Sequence, residues 1–264
     1  GRVMRHYSIR KRILVTGGAG FIGSHFARRL VRAGEDVVVL DKLTYAGNRA
    51  NLQDVDVDFR QGDINDPATV AAAARGCDAI VNFAAETHVD RSIIDGASFL
   101  RTNVNGAHVL LDAARETGAR LVHVSTDEVY GDLPPGSSSA EDDALRPSSP
   151  YSAAKAAGDL LVLSYVRTYG VDASITRGSN TYGPNQYPEK LLSLFITNAL
   201  DGDPLPLYGD GMQVREMLFV EDHCSAIDLV FHHGAAGEAY NVGAEHEVPN
   251  IETARRIAHR RRTA

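Results

Sequence analysis

Tyr151 and Lys155 stand four residues apart, and on a helix that spacing puts both side chains on one face. A phenol is a poor base at its ordinary pKa. A neighbouring ammonium favours the phenolate and makes it usable near neutrality. Such a pair can take a proton from a hydroxyl while hydride leaves for a nicotinamide. A second group, Ser125 to Glu128, follows an apolar run and holds two adjacent acids, Asp127 and Glu128. Burial beside a cofactor penalises charge, so two acids at the carboxyl end of a strand are unusual. They suit a paired acid and base, one taking a carbon-bound proton and the other protonating a leaving hydroxyl. Oxidation alone does not need that pair, whereas elimination of water does. Thr126 stands where a Ser/Thr-Tyr-Lys proton-transfer set has its third member.

Chance also places Tyr and Lys four apart in many helices, so the pair gains meaning from what precedes it. Gly17, Gly20 and Gly23 form a GxxGxxG pattern between an apolar run and a helical one. There, backbone N–H groups can approach a pyrophosphate at a helix N-terminus. Asp41 ends the next apolar run, in the range expected for an acid on the ribose hydroxyls. An acid at that place repels a 2′-phosphate and favours NAD over NADP. Asp63, after a third run, reads as an adenine contact or a surface acid.

The elements that position these residues alternate. Strands are expected at 13–16, 37–40, 57–60, 79–83, 121–125 and 172–177. Helices are expected at 21–33, 66–75, 99–117 and 151–169, the second with Asp66 as N-cap and Pro67 in its first turn. Residues 132–150 read as a loop rich in Pro, Ser and acids. This order implies a doubly wound α/β fold with a mostly parallel sheet. After Asn180 the rhythm breaks, so residues 12–179 read as the dinucleotide-binding domain and 180–264 as a smaller substrate lobe.

The chain has 264 residues, 44% of them hydrophobic, and a net charge of -7. Its acidity argues against broad binding to nucleic acid or acidic membranes. No apolar run has the length of a membrane span. Residues 1–11 are basic without an apolar core, so they read as a leader and not a secretory signal. Cys77 and Cys224 read as small buried residues rather than a disulfide framework, which fits a reducing cytoplasm. No histidine, His223, His232 and His233 included, has metal-site spacing and partners, so no metal is expected.

From about Arg12 to Asn250 the chain resembles the dTDP-glucose 4,6-dehydratase family, a nucleotide-sugar branch of the extended short-chain dehydrogenases with a Rossmann sheet. The resemblance is carried by Thr16 to Gly23, Asp41 to Asn48, Ala84 to Ser92, Ser125 to Gly131, Tyr151 to Lys155 and Tyr182 to Lys190. Asp127-Glu128 is its most specific element. Related epimerases usually carry small residues there, and related decarboxylases usually keep the Glu without the Asp.

The resemblance implies an activity and residue roles. Tyr151 would take the 4-hydroxyl proton of the glucosyl unit as bound NAD receives hydride from C4, with Lys155 supporting the phenolate. Glu128 would take the C5 proton and Asp127 would protonate the departing C6 hydroxyl. Thr126 would bond the substrate near C4, and hydride would return to C6. Cofactor contacts are implied at Gly17, Gly20, Phe21, Ile22, Gly23, Asp41, Lys42, Asp63, Ile64, Phe83, Ala84, Ala85 and Thr102, besides Tyr151 and Lys155. Substrate contacts are implied at Thr87, Asn180, Lys190, Arg215 and Asn250. A homodimer is implied through the helices at 99–117 and 151–169. Thr181 departs from the family, which usually has Asn there. The family also continues past the length of this chain with an arginine-bearing segment over the nucleotide, so the lobe at 180–264 reads as incomplete. A C4 epimerase or decarboxylase would use the same Tyr and Lys, and a non-catalytic NAD-binding protein would use the glycine turn alone.

Overall fold

The computed structural model describes residues 10–87, 96–134, 136–188, 190–207 and 209–263. Most of the expected leader, and the family segment from His88 to Ser92, lie outside the described residues.

Strand β1 (Arg12–Thr16) sends Ile13 and Val15 to one face and Leu14 to the other, and all three are fully buried. A strand buried on both faces needs cover on both sides, and helices supply it. Phe26 and Leu30 of α1 (Phe21–Arg32) pack on the first face with Val37 and Val39 of β2 (Asp36–Asp41). The other face meets Val70 of α2 (Pro67–Ala74), which Asp66 caps by accepting from the Ala68 N–H. With β3 (Asp58–Gln61), β4 (Ala79–Asn82), β5 (Arg120–Thr126), β6 (Ala173–Gly178) and β9 (Ala239–Val242), the large sheet runs β3-β2-β1-β4-β5-β6-β9. All its neighbours are parallel. The chain leaves β1 in one direction and returns to lay β4 on its other side. The crevice at the carboxyl ends of β1 and β4 is therefore the switch point where ligands bind in such sheets.

Two features differ from the sequence reading. The helix expected at 99–117 starts earlier, as α3 (Gly96–Leu100), and passes through a π-helical turn (Arg101–Asn105) into α4 (Gly106–Thr117). Asn103 on that turn is buried and grips Glu86 by both backbone groups, at 3.1 Å each. Such π turns often mark functional sites. Gly106 then packs against Ile64, whose Cδ1 would lie 2.3 Å from a Cβ.

The second difference is that the large sheet does not end near residue 179. After β7 (Asn180–Tyr182), α6 (Leu191–Asp201) and β8 (Val214–Phe219), helix α7 (Val220–His233) and β9 return to it. Cys224, Ile227 and Phe231 of α7 share a core with Val122 and Val124 of β5. The short β9, with one β-branched residue in four, carried too little signal to be read. The smaller sheet runs β10-β8-β7, with β10 (Glu247–Pro249) antiparallel to β8 and leading into α8 (Asn250–Thr263). No helix among the described residues is long and apolar enough to cross a membrane.

Candidate active site

One cleft of about 1190 Å³, at the carboxyl ends of the strands, is lined by every cofactor and substrate residue expected above and by the five catalytic candidates. That volume exceeds what one small ligand needs. Among the described residues no cluster could hold a metal ion.

The three glycines do different things. Gly17 has φ +69°, and a Cβ there would lie 2.6 Å from the Ala84 nitrogen. At Gly23 a Cβ would meet the Gly17 carbonyl at 2.3 Å. Both glycines thus close the turn on the protein's own backbone. Gly20, the N-cap residue of α1, meets only the Gly17 carbonyl, at 3.2 Å, so its other side faces the cleft. The turn presents backbone at a helix N-terminus, as a pyrophosphate requires. Asp41 is buried, and its carboxylate accepts from Ala19 N–H at 2.9 Å and Leu43 N–H at 2.7 Å. Burial raises its pKa and these bonds oppose the rise. Each carboxylate oxygen keeps a further lone pair for a ribose hydroxyl. Lys42 pairs with Asp63 at 2.7 Å across the cleft's edge. These residues fit a dinucleotide with an unphosphorylated ribose.

The catalytic candidates converge from two elements. Helix α5 (Pro150–Tyr169) starts with a Ser149–Ser152 capping box and buries Tyr151 and Lys155 on one face. The turn Asp127–Tyr130 follows β5, with Thr126 as its cap accepting from the Glu128 N–H at 3.2 Å. Lys155 donates to the Val124 carbonyl at 2.7 Å. Burial lowers its pKa to about 8, with the Asp159 charge opposing. The expectation that the ammonium draws the phenol down is not met. Burial, then the Glu128 and Asp127 charges, push the Tyr151 phenol well above its ordinary value, against a hydrogen bond with Thr126. The lysine is spent on a carbonyl while two carboxylates face the ring.

The two acids have opposite surroundings. Burial and the charges of Glu128 and Glu216 raise Asp127 to about 6. Glu128 is raised by burial but held down by Lys190 and Arg215. Lys190 also donates to the Thr87 carbonyl at 3.1 Å. Asn180 sits on β7, and Asn250 is buried at the start of α8. Thr181 donates to the Ser179 carbonyl at 3.1 Å, so its 2.8 Å contact with His223 Nδ1 is accepted from the ring. Burial lowers His223 to about 4, which keeps that ring neutral.

Sequence reading missed Asn103, Glu216, Asp159 and Arg177. Glu216 is pinned by the Ala244 and Glu245 N–H groups at 2.6 and 2.7 Å. Its neighbour Arg215 was the available signal. Asp159 and Arg177 pair at 2.9 Å and are both buried. A charge one turn after Lys155 on the same helix face was the signal for Asp159.

A dinucleotide turn, a buried Tyr-Lys pair and a strand-end acid pair in one cleft define an extended short-chain dehydrogenase with added acid–base equipment. The sequence pattern of the NAD dependent epimerase/dehydratase family matches residues 13–243. A dTDP-glucose 4,6-dehydratase of Streptomyces niveus is 53% identical over 93% of this chain and 76% of its own. DesIV, a dTDP-glucose 4,6-dehydratase of Streptomyces venezuelae solved with NAD and TYD bound, superposes with a TM-score of 0.91. It is 53% identical, over 94% of this chain and 80% of its own. A Thermus thermophilus UDP-glucose 4-epimerase, solved with NAD, has a TM-score of 0.89 at 34% identity, over 96% of this chain and 84% of its own. The chain belongs to the NAD dependent epimerase/dehydratase family, in its dTDP-glucose 4,6-dehydratase branch.

Proposed function

We propose that the chain converts dTDP-glucose to dTDP-4-keto-6-deoxyglucose with NAD regenerated in each cycle. The observation that carries this reading is the division of the two acids. Asp127 faces carboxylates and Glu128 faces cations. Burial raises both carboxyls, but neighbouring carboxylates add to the rise at Asp127 and cations oppose it at Glu128, which favours Asp127 as the acid and Glu128 as the base.

Bound NAD+ supplies a two-electron store, filled from C4 of the glucosyl unit and emptied onto C6. Tyr151 takes the C4 hydroxyl proton as its phenolate, a form that the positive charge of bound NAD+ would favour against burial and the two carboxylates, and Thr126 orients that hydroxyl. The resulting C4 ketone acidifies the C5 hydrogen. Glu128, where the Lys190 and Arg215 charges oppose the rise that burial causes, takes it as a proton. Asp127, whose hold on a proton is strengthened by burial and by the carboxylates beside it, gives its proton to the departing C6 oxygen, which leaves as water. Glu128 then returns a proton to C5 as C6 becomes a methyl group. Gly17, Gly20, Gly23 and Asp41 hold the cofactor, with Asn180, Lys190, Arg215 and Asn250 around the nucleotide sugar. An epimerase needs no leaving-group acid, so Asp127 speaks for elimination. Incubation with dTDP-glucose is expected to give a product lighter by one water, whereas an unchanged mass would contradict the reading.

We also infer a cytoplasmic homodimer. Leu100, Val104 and His108 follow a helical stripe that lines a shallow apolar groove with Leu161 of α5. Leu100 and Leu160 are each 57% exposed, which suits a covered helix face. Leu100→Asp with Leu160→Asp is expected to halve the mass seen by light scattering. A variant that keeps the parent's mass would rule this face out. The two thiols, Cys77 and Cys224, are buried and free of disulfides, which suits a reducing compartment.

A further inference from the structure

Beneath the cleft runs a chain of hydrogen bonds that the proton transfers do not use. Asp159 lies one turn after Lys155 on α5 and accepts from Arg177 Nε at 2.9 Å. Arg177, on β6, donates through Nη1 to the Tyr130 hydroxyl at 2.7 Å and to the Glu141 carbonyl at 3.0 Å. The Tyr130 hydroxyl donates its own proton to Asn241 Oδ1, on β9, at 2.7 Å. Asn241 donates through Nδ2 to the Ser139 carbonyl at 2.9 Å and through its backbone to the Glu141 carboxylate at 3.0 Å.

A buried ion pair is a poor source of stability, because desolvation offsets its Coulomb attraction. A buried network of hydrogen bonds instead favours one arrangement of the elements it joins, and in this one Asp159 Oδ1 is buried without a hydrogen-bond partner among the described residues while Oδ2 takes the Arg177 bond. Here it joins the helix of Tyr151 and Lys155 to the turn that opens with Asp127 and Glu128 and closes with Tyr130. One carries the oxidation and the other the elimination. The Tyr130 hydroxyl links the side chains of Arg177 and Asn241 directly, accepting from one and donating to the other, beside a longer bridge through the Glu141 carbonyl and carboxylate.

We propose that Tyr130 is a positioning residue for the elimination step, holding the acid–base turn in register with the oxidation pair. This role rests on the dehydratase reading. Tyr130→Phe removes one oxygen and leaves the buried ring beneath the Arg177 guanidinium, 5.0 Å from its centre. The variant is expected to unfold close to the parent temperature. Misplacing a catalytic group by about 1 Å costs on the order of a hundredfold, so turnover is expected to fall roughly ten- to hundredfold. The early rise of NADH absorbance keeps its parent rate, and NADH now persists during turnover because oxidation outruns elimination. Asn241→Ala, which removes the hydroxyl's acceptor without altering the turn, gives the same signature. Parent turnover in Tyr130→Phe would overturn the role. So would oxidation and elimination falling together with no persistent NADH, the mark of a merely structural contact. A parent chain that yields no dehydrated product would instead sink the dehydratase reading, and this role with it.

Discussion

Glu128→Gln is expected to cut formation of the keto-deoxy product by about 10²–10⁴-fold, the usual range for a general base, while the first oxidation survives. Gln keeps the size of the side chain and its place on the turn but cannot accept a proton from C5. The survival of oxidation has a specific cause. The Glu128 charge is one of the influences that hold the Tyr151 phenol high, second only to burial. Removing it makes the phenol a better acid, so loss of the C4 hydroxyl proton should not suffer. Rapid mixing with dTDP-glucose should therefore show NADH forming and remaining, with no dehydrated sugar in the quenched sample. Product formed at the parent rate would show that another group takes the C5 proton.

Asp127→Asn is expected to have two effects of opposite kind. It should lower turnover by about 10²–10⁴-fold, because Asn cannot protonate the leaving hydroxyl. It should also stabilise the fold at alkaline pH. Asp127 rises from 3.8 to about 6 on folding, chiefly through burial, with the Glu128 and Glu216 charges next. A raised carboxyl favours the folded state below its unfolded pKa and loses that contribution as pH rises through the folded value. At pH 8 the ionised group then costs the fold up to about 3 kcal/mol. Asn lacks that charge, so the variant should melt roughly 5 °C or more above the parent at pH 8. The difference should close below about pH 3, where Asp127 is protonated in both states. Equal melting temperatures across that window would mean that folding does not raise the Asp127 pKa. The site would thus give up stability to strengthen the hold of one acid on its proton among other acids, a trade found where function requires strain.

The parts legible in the sequence were those that need fixed residue types at short spacing. The glycine turn, Asp41 at the end of the second strand, the Thr126–Glu128 strip and the Tyr151–Lys155 pair each sit within one local element. Asp66 and Pro67 likewise announced α2 through their cap chemistry alone. What was not legible depends on which strands become neighbours. Arg177 meets Asp159 because β6 lies beneath the helix that carries the acid, and Tyr130 meets Asn241 across 111 positions because β9 joins the sheet edge. The strand Ala173–Gly178 is buried throughout, so a charged Arg177 inside it was a hint that a partner must exist. The direction of the Tyr151 shift is not legible in the sequence for a related reason. Spacing places Lys155 near the phenol, but only the fold shows its ammonium on the Val124 carbonyl and two carboxylates facing the ring.

The proposed roles of Asp127 and Glu128 turn an oxidising scaffold into one that eliminates water. The most direct test is to run the reaction of the parent chain with NAD and dTDP-glucose in D₂O and to read the product by mass and proton NMR. The predicted product has lost one water, carries a methyl group at C6 and holds one solvent deuterium at C5, where Glu128 exchanges its proton before returning it. A product of unchanged mass with no deuterium at C5, differing from the substrate only in C4 configuration, would contradict the account and make the acid pair a bystander on an epimerase.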